Sequence, residues 1–333
     1  MPHRTPRLYV ETWAPDFGAA LEPTEAPPLD PGDVDFTVEL NQWRPLTGED
    51  DGEAETVAFV DGVRRVDARL TLDDPAAGPV PGLCCSFAVG AVVWDRRVPR
   101  AEVRDVAVHR VAVLAEGRAA VLPPLELGLA YRAETVEVDD PGVLMNHLLK
   151  LMRNEEGRLA VDLARAGHLV IADGPIKALE AEPVVGCVKR HRRSYLTGGR
   201  GAVVAALRPG QRTPLFAFDV EGYQRYSWYV RLADVLGGHS WSGIVRCECT
   251  ASLPLPRARL LAHRTAALLP QVASAQHLDP RAPQNLAPIA ALERHLKRML
   301  GDSGLVYRAL LAAVAGQNGA TPAPEPVAAG AAT

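Results

Sequence analysis

The sequence predicts an α/β domain with a mixed β-sheet that is flanked by helices and followed by further helices at the C-terminal end. Three observations predict it. Residues typical of β-strands predominate between residues 56 and 114, a long amphipathic helix runs directly into a buried strand, and the pattern after residue 256 is typical of helices. An order of strands, helix, strands and helices is typical of such a fold. The 333 residues allow one to three domains, and no linker separates two cores.

The first half of the sheet is predicted from four apolar runs. Residues 56–63 and 66–72 are predicted to pair as a hairpin, because the first run turns after an Asp-Gly pair and the second alternates with a period of two. Residues 85–94 and 106–114 are predicted as the third and fourth strands.

The period then changes from strand to helix. Apolar residues recur three or four positions apart, or at a multiple of that spacing, between residues 141 and 166, and Asp140 with Pro141 supplies a cap and a first-turn proline. This helix leads into a buried strand at 168–173. Further strands are predicted at 183–188, 215–219, 226–232 and 243–250, and C-terminal helices at 256–272, 289–300 and 305–315.

The two ends of the chain differ from this core. Residues 1–35 are rich in proline and acidic residues and are predicted to form an irregular arm, and residues 317–333 place prolines among alanines, as in a disordered tail. The folded domain is therefore expected to span residues 36–316.

Composition excludes several classes of protein. A hydrophobic content of 47%, 23% charged residues and a net charge of −4 are not those of a disordered chain. The longest apolar runs are far shorter than the roughly 18 residues of a membrane span, and no signal peptide is evident, so we expect a soluble cytoplasmic protein without a membrane partner. Five cysteines, an odd number, are expected to be buried free thiols.

Two short segments of the sequence have the same arrangement of residue types. In residues 59–62 and 171–174 an aspartate, Asp61 or Asp173, ends an apolar run and a glycine follows it. A carboxylate at the edge of a buried sheet is costly unless it is paired or binds a cation. If the two strands lie side by side, both carboxylates converge and offer the hard oxygen ligands that Mg²⁺ or Mn²⁺ prefers. The alternative is that each Asp-Gly pair simply begins a turn.

A third acidic candidate lies on the helix between these segments. Glu155 is near the centre of the apolar stripe, whereas Glu156 is at its edge. Because a charge at the centre is costly to bury, the pattern favours Glu156 as the residue that faces a metal site, with Glu155 as the alternative. Either residue alone is otherwise a solvated helix position.

A basic cluster follows the second Asp-Gly pair by about fifteen residues. It consists of Lys189, Arg190, Arg192 and Arg193. A charge run is usually a solvated surface, but positive charge beside a divalent-metal site suits phosphodiester chemistry. Aromatic residues further along the chain are core residues or stack on unpaired bases. They are Tyr223, Tyr226, Trp228 and Tyr229.

Taken together, these residues resemble the NurA nuclease family. The motifs that carry the resemblance, in order along residues 56–300, are Phe59-Val-Asp-Gly-Val-Arg, Glu156, Val170-Ile-Ala-Asp-Gly-Pro-Ile, Gly186-Cys-Val-Lys-Arg, Trp228-Tyr-Val-Arg-Leu and Ile244-Val-Arg-Cys-Glu. The resemblance implies an RNase H-like core and a Mn²⁺-dependent (or Mg²⁺-dependent) DNA nuclease, a 5′-to-3′ exonuclease that also cleaves single strands internally. It further implies a homodimer that works with a HerA-type hexameric ATPase in DNA end resection and double-strand break repair.

The resemblance also implies roles for individual residues. Asp61, Glu156 and Asp173 would ligate metal. Archaeal members carry a tyrosine and, eight residues later, a histidine beside the metals. Asn285 and Glu293 stand at those positions here, and Glu293 is a candidate further ligand or base.

The expected mechanism is two-metal phosphodiester hydrolysis. Asp61, Glu156 and Asp173 would hold two ions, of which one activates water and the other stabilises the leaving oxygen, while the basic cluster holds the DNA backbone with little sequence preference. The alternative is a catalytically silent subunit that clamps DNA or regulates the ATPase, favoured by the altered C-terminal motif. An actin-like sugar kinase or ATPase is disfavoured, because no glycine-rich phosphate loop follows either Asp-Gly pair.

Overall fold

The computed structural model describes residues 7–10, 34–52, 55–98, 100–126, 128–138, 140–176, 182–189, 195–220 and 222–319. The strands are β1 (Arg7–Val10), β2 (Val34–Asp35), β3 (Leu46–Thr47), β4 (Thr56–Asp74), β5 (Gly78–Asp95), β6 (Arg100–Leu114), β7 (Arg132–Thr135), β8 (Leu169–Asp173), β9 (Val184–Val188), β10 (Gln211–Arg212), β11 (Phe216–Val220), β12 (Tyr223–Arg231) and β13 (Ile244–Thr250). The helices are α1 (Pro141–Arg165), α2 (Arg200–Ala205), α3 (Leu255–Leu268), α4 (Ala287–Met299) and α5 (Ser303–Gly319), and a 3-10 turn (Leu269–Val272) follows α3. Among the helices in these ranges, none is both long enough and apolar enough to span a membrane.

One large mixed sheet organises the described residues, and this confirms the predicted α/β fold with flanking helices. Its central strands lie in the order β6-β5-β4-β8-β9. Strand β5 is antiparallel to both of its neighbours, β4 and β6, whereas β8 runs parallel to both β4 and β9. Beyond β9 the sheet continues antiparallel through β13, β12, β11 and β2. Strand β1 pairs with β4 at its far end.

The predicted hairpin of residues 56–63 and 66–72 is wrong, because both runs belong to the single 19-residue strand β4. Asp61 and Gly62 pair opposite Gly90 and Val89 of β5, inside a ladder that extends from Thr56 to Asp74. The ladder is regular across residues 64 and 65, which separate the two apolar runs, and it shifts register only between residues 66 and 68, at a β-bulge inside the second run. Pairing with β5 thus overrides a local turn signal.

Helices cover the two faces of the central strands. Alternate residues of a strand point to opposite faces. Phe59 and Val63 of β4 therefore pack with α3 and α4, whereas Val60 packs with α1. Leu292 and Leu296 of α4 are completely buried in this contact, and each contributes about 1.5–3 kcal/mol through burial. Asp61 shares the α4 side of β4, and Gly62 shares the α1 side.

Helix α1 begins as the sequence predicts. The Asp140 carboxylate accepts a hydrogen bond from the Gly142 N–H at 2.6 Å, and Pro141 occupies the first turn. This side chain satisfies one of the backbone donors that a helix N-terminus leaves unpaired. The helix runs for 25 residues across the sheet, which carries Glu156 over β4.

The ends of the chain are described in part. Residues 7–10 and 34–35 of the predicted irregular arm form β1 and β2, so that these parts of the arm are regular, whereas residues 1–6 and 11–33 lie outside the described residues. Helix α5 continues to Gly319, past the predicted start of the tail at residue 317, and residues 320–333 also lie outside the described residues.

Candidate metal centre

Three carboxylates converge where β4 and β8 lie side by side. The parallel register pairs Val60 with Ala172, so that the residues that follow, Asp61 and Asp173, are neighbours across the two strands. Glu293 of α4 joins them: one oxygen from each of the three carboxylates lies within 4.8 Å of the others. We call Asp61, Asp173 and Glu293 the acidic trio. The predicted convergence of the two aspartates is present.

The two aspartates reach the trio by different routes. Asp61 is buried in the middle of β4, where one of its oxygens accepts a hydrogen bond from the Gly62 N–H at 2.8 Å. It therefore does not end a strand, contrary to the prediction. Asp173 is the last residue of β8, and Gly174 turns the chain away with a φ of +88° while its N–H donates to the Cys187 carbonyl at 2.9 Å.

Glu156 lies beside the trio but on the other face of β4. A Cβ atom at Gly62 would be 2.4 Å from Glu156 Oε1 and 3.1 Å from Met152 Cγ. The Glu156 carboxylate thus occupies the space that a side chain at position 62 would fill. Glu155 turns away and pairs with Arg158 at 2.9 Å. Of the two glutamates left open by the sequence, Glu156 is the one that approaches the site, although it is not a member of the trio.

Arg281 fixes the carboxylate of Glu293. Its Nη1 and Nη2 donate to Glu293 Oε1 and Oε2 at 2.9 and 2.8 Å. Asp279 supports Arg281 from behind, since its carboxylate accepts hydrogen bonds from the Arg281 backbone N–H at 2.7 Å and from the guanidinium at 3.3 Å. A bidentate pair of this kind fixes both the position and the orientation of a carboxylate.

Lys189 closes the arrangement on the side of Asp173. Its Nζ donates to Asp173 Oδ2 at 2.7 Å and to the Asn285 side-chain oxygen. The Asn285 amide nitrogen donates in turn to Asp279 Oδ2 at 2.6 Å. Hydrogen bonds therefore connect Asp173 to Glu293 through four intermediate side chains, and the trio completes the circuit. We call the circuit the closed ring: Asp173, Lys189, Asn285, Asp279, Arg281 and Glu293.

The pKa values of the acidic groups reflect their burial and mutual repulsion. Burial raises the pKa of Asp61 well above its usual range, and the charges of Asp173 and Glu156 raise it further. Burial also raises the pKa of Asp173, against the opposing effect of Lys189. Burial raises the pKa of Glu156 to about 7. For Glu293, burial acts in the same direction, but the hydrogen bonds and charge of Arg281 outweigh it and lower the pKa.

These donors fit a hard divalent cation. Three carboxylate oxygens converge in a partly buried place, and Mg²⁺ and Mn²⁺ prefer oxygen ligands. Burial and mutual repulsion raise the pKa values of Asp61 and Asp173 in spite of the nearby positive charge of Lys189. A cation bound to the trio would remove that repulsion and favour the ionised carboxylates.

The C-terminal end of α4 is anchored to the same strand that carries Asp61. Arg65 donates to the carbonyl oxygens of Gly301 and Leu300 at 2.6 and 3.1 Å, and Arg110 donates to Leu300 at 3.0 Å. These guanidinium groups satisfy carbonyls that a helix end leaves unpaired and oppose the negative end of its dipole. The buried Asp67 holds Arg65 at 2.7 Å. Strand β4 thereby sets the position of Glu293 as well as that of Asp61.

The predicted DNA contacts have different outcomes. Arg190, Arg192 and Arg193 lie outside the described residues. Lys189 is within the closed ring, and not on an open basic surface. Trp228 and Tyr229 are buried core residues, so the stacking role considered for them is wrong. All five cysteines are buried and free, as expected.

Two residues of the site were missed by sequence reasoning. Asp279 and Arg281 precede Asn285 by six and four residues, and no periodic or motif signal distinguishes them from ordinary polar loop residues. Only the fold shows that they hold Glu293 and Asn285. Comparison of the chain with protein-family models and with curated proteins finds no match.

Proposed function

We propose that this protein is a Mn²⁺- or Mg²⁺-dependent DNA nuclease that hydrolyses phosphodiester bonds by a two-metal mechanism. The observation that carries the proposal is the acidic trio, with Glu156 beside it across Gly62. The three carboxylates of the trio repel one another, and the charge of Glu156 adds to the repulsion at Asp61 from the other face of β4. A cation site explains why this cost is present.

The order of the central strands supports an RNase H-like core. Three antiparallel strands, β4 to β6, are followed by a crossover through α1 to β8, which returns parallel and adjacent to the first of them. That arrangement agrees with the core expected from the NurA resemblance. It also brings an aspartate of the first strand beside an aspartate at the end of the fourth strand of that core.

The side chains of the site have complementary roles in this proposal. Asp61, Asp173 and Glu293 would hold the metal ions, which when bound would stabilise the developing phosphate charge and acidify a water molecule. Arg281 keeps Glu293 ionised and oriented. Glu156, with a pKa of about 7, is suited to accept a proton from water near neutral pH. Lys189 places a positive charge beside the reacting phosphate.

The wider role rests on the NurA resemblance. We propose that the nuclease acts as a 5′-to-3′ exonuclease and single-strand endonuclease, as a homodimer in the cytoplasm. A HerA-type hexameric ATPase would translocate DNA into it during end resection and double-strand break repair.

The test is degradation of labelled single-stranded DNA by the purified chain in the presence of Mn²⁺. Wild-type protein should degrade the strand, and Asp61→Ala should lose at least about 100-fold in rate, because it removes a buried ligand. Asp73→Ala is the matched control, since it removes an exposed carboxylate from the same strand. Degradation by Asp61→Ala at the wild-type rate would show that the assignment is wrong.

One observation favours the catalytically silent alternative. Asp173 and Glu293 already have cationic partners within the chain, Lys189 and Arg281. If these pairs take the place of metal, the protein would clamp DNA or regulate the ATPase without cleaving. Calorimetric titration with Mn²⁺ separates the two functions. No binding of Mn²⁺, together with intact DNA binding and a changed ATPase rate of the partner, would establish the silent role.

A further inference from the structure

We propose that Arg64 of β4 and Arg153 of α1 form a phosphate-binding pair that holds the DNA backbone on the α1 side of the active site. The inference rests on the proposed function and adds to it a second contact point for the substrate, distinct from the acidic trio and from the basic cluster at 189–193. The ligand is the phosphodiester group adjacent to the one that is cleaved.

The strand and helix geometry places the two arginines together. Gly62 and Arg64 are two residues apart on β4 and point to the same face, towards α1. Met152 and Glu156 lie over Gly62, so that Arg153, the residue after Met152, is on the adjoining part of the helix. Arg153 precedes Glu156 by about 4.5 Å along the helix axis. The arginine pair thus borders Glu156.

The electrostatic effects of these side chains on their neighbours agree with this placement. Burial lowers the pKa of Arg64, Cys85 opposes this effect, and the like charge of Arg153 lowers the pKa further. Arg153 also acts on Glu156, whose pKa it lowers against the larger effect of burial. Arg153 is therefore within electrostatic reach of both Arg64 and the catalytic region.

Neither arginine has a hydrogen-bonded or ion-paired acidic partner in the part of the chain that the structure describes. Arg64 and Arg153 form no hydrogen bond or ion pair there, whereas Arg65 is held by Asp67 and Arg158 by Glu155. Two like charges side by side, one of them partly desolvated, are unfavourable unless an anion joins them. Both side chains are solvent-exposed, so that an external anion can reach them.

A nucleic-acid phosphate is the anion that suits this place. Guanidinium groups bind phosphate oxygens in a bidentate manner, and a pair of them matches a group that carries two free oxygens. Since the contact is to the backbone, it positions the strand without reading its sequence. The DNA strand would run from the acidic trio towards the arginine pair.

The test is binding of a short fluorescein-labelled single strand, followed by anisotropy over a range of salt concentrations, with Ca²⁺ in place of Mn²⁺ to prevent cleavage. Each phosphate contact on a single strand contributes about 0.7 to the slope of log K against log salt. The double variant Arg64→Gln/Arg153→Gln should therefore have a slope shallower by about 1.4 and an affinity at least about tenfold lower at low salt. The variant Arg64→Lys/Arg153→Lys should keep most of the slope.

Arg158→Gln is the matched control, because it removes one exposed positive charge from the same helix at a residue that is already paired. It should bind DNA like the wild type. Wild-type slope and affinity in the double glutamine variant would overturn the inference while the nuclease assignment stands. Absence of DNA binding by the wild type would overturn both. The double glutamine variant should keep the Mn²⁺ affinity and the melting temperature of the wild type. Arg153→Gln alone should lose about half as much slope as the double variant. These results would show that the effect is not one of folding.

Discussion

The two Asp-Gly pairs are alike in sequence and opposite in what their glycines do. Gly62 has ordinary strand backbone but no room for a side chain, since Glu156 Oε1 lies 2.4 Å from the position of a Cβ. Gly174 has open space around it but a φ of +88°, which side chains rarely tolerate. One glycine admits a carboxylate from another layer, whereas the other ends a strand. The same dipeptide thus serves as a packing gap in one case and as a turn in the other.

The comparison also separates the acids into two kinds. Those supported by the closed ring, Asp173 and Glu293, have cationic partners that oppose the effect of burial. The other two acids, Asp61 and Glu156, have no hydrogen-bonded cation among the described residues and have raised pKa values. The uncompensated half of the site is therefore where a bound cation would change the energetics most.

The largest expected effect is on the pH dependence of stability, which tests the difference between the acids that have cationic partners and those that do not. Burial raises the pKa of Glu156 from 4.5, the ordinary value of a glutamate, to about 7 in the folded protein, so the folded state binds the proton more tightly. Its contribution is present below pH 4.5 and is lost as pH rises to about 7. The metal-free protein should therefore lose roughly 3 kcal/mol of unfolding free energy over that range.

Denaturant melts of the metal-free protein between pH 4.5 and 8 measure this loss. Glu156→Gln should reduce it strongly, whereas Glu155→Gln, the control on the same helix turn, should not. Because ligands bind metal in the ionised form, added Mn²⁺ should raise the melting temperature more at pH 8 than at pH 5. An identical pH profile for wild type and Glu156→Gln would contradict the assignment of this group.

Substitution of the two glycines tests directly whether they have different roles. In Gly62→Ala the new Cβ should displace the flexible end of Glu156, and the DNA cleavage rate should fall about 100-fold, as expected when a catalytic group moves by about 1 Å. In Gly174→Ala the space is free, but the left-handed backbone costs about 1–2 kcal/mol, so stability should fall while kcat is nearly unchanged.

Cleavage assays and thermal melts on both variants distinguish the two outcomes. Met152→Ala combined with Gly62→Ala widens the gap beneath α1 and should not restore activity, since the clash is with the Glu156 carboxylate itself. Equal losses of rate in Gly62→Ala and Gly174→Ala would show that the two glycines act alike.

The smallest effect is expected from the closed ring. Arg281→Gln removes the bidentate hydrogen bonds to the Glu293 carboxylate but none of the carboxylates that would bind metal. Loss of such a supporting partner should lower the metal affinity by about 10-fold. Calorimetric titration with Mn²⁺ measures it. Arg294→Gln, which removes an exposed arginine from α4 next to Glu293, is the control. An unchanged Mn²⁺ affinity in Arg281→Gln would mean that the ring is only structural.

Much of the fold was predictable because it depends on local patterns. The period of apolar residues and the Asp140 cap define α1 to within a residue, and the apolar run before Asp173 defines β8. The continuation of β4 through Asp61-Gly62 was not predictable, because the ladder with β5 and not the local sequence decides it. Long-range pairing of this kind leaves no signal within a window of a few residues.

The residues of the site also differ in how far the sequence predicts them. Convergence of Asp61 and Asp173 followed from two strands that each carry an acid at the same relative place, once they are parallel neighbours. Glu293 entered only through the family resemblance, since an acid on an amphipathic helix is ordinary. Arg281 and Asp279 had no signal at all, because their role depends on how the loop before α4 folds back onto it.

The anchoring of α4 has a consequence for synthesis of the chain. Arg65 and the Gly301 carbonyl that it binds are 236 residues apart, and Glu293 follows Asp61 by 293 − 61 = 232 residues. At roughly 5–20 residues per second on the ribosome, about 12–46 s separate the appearance of these two carboxylates. Throughout that interval the growing chain lacks the third member of the trio. The three carboxylates cannot come together until α4 has emerged, so that no product of translation that stops before Glu293 carries the assembled trio.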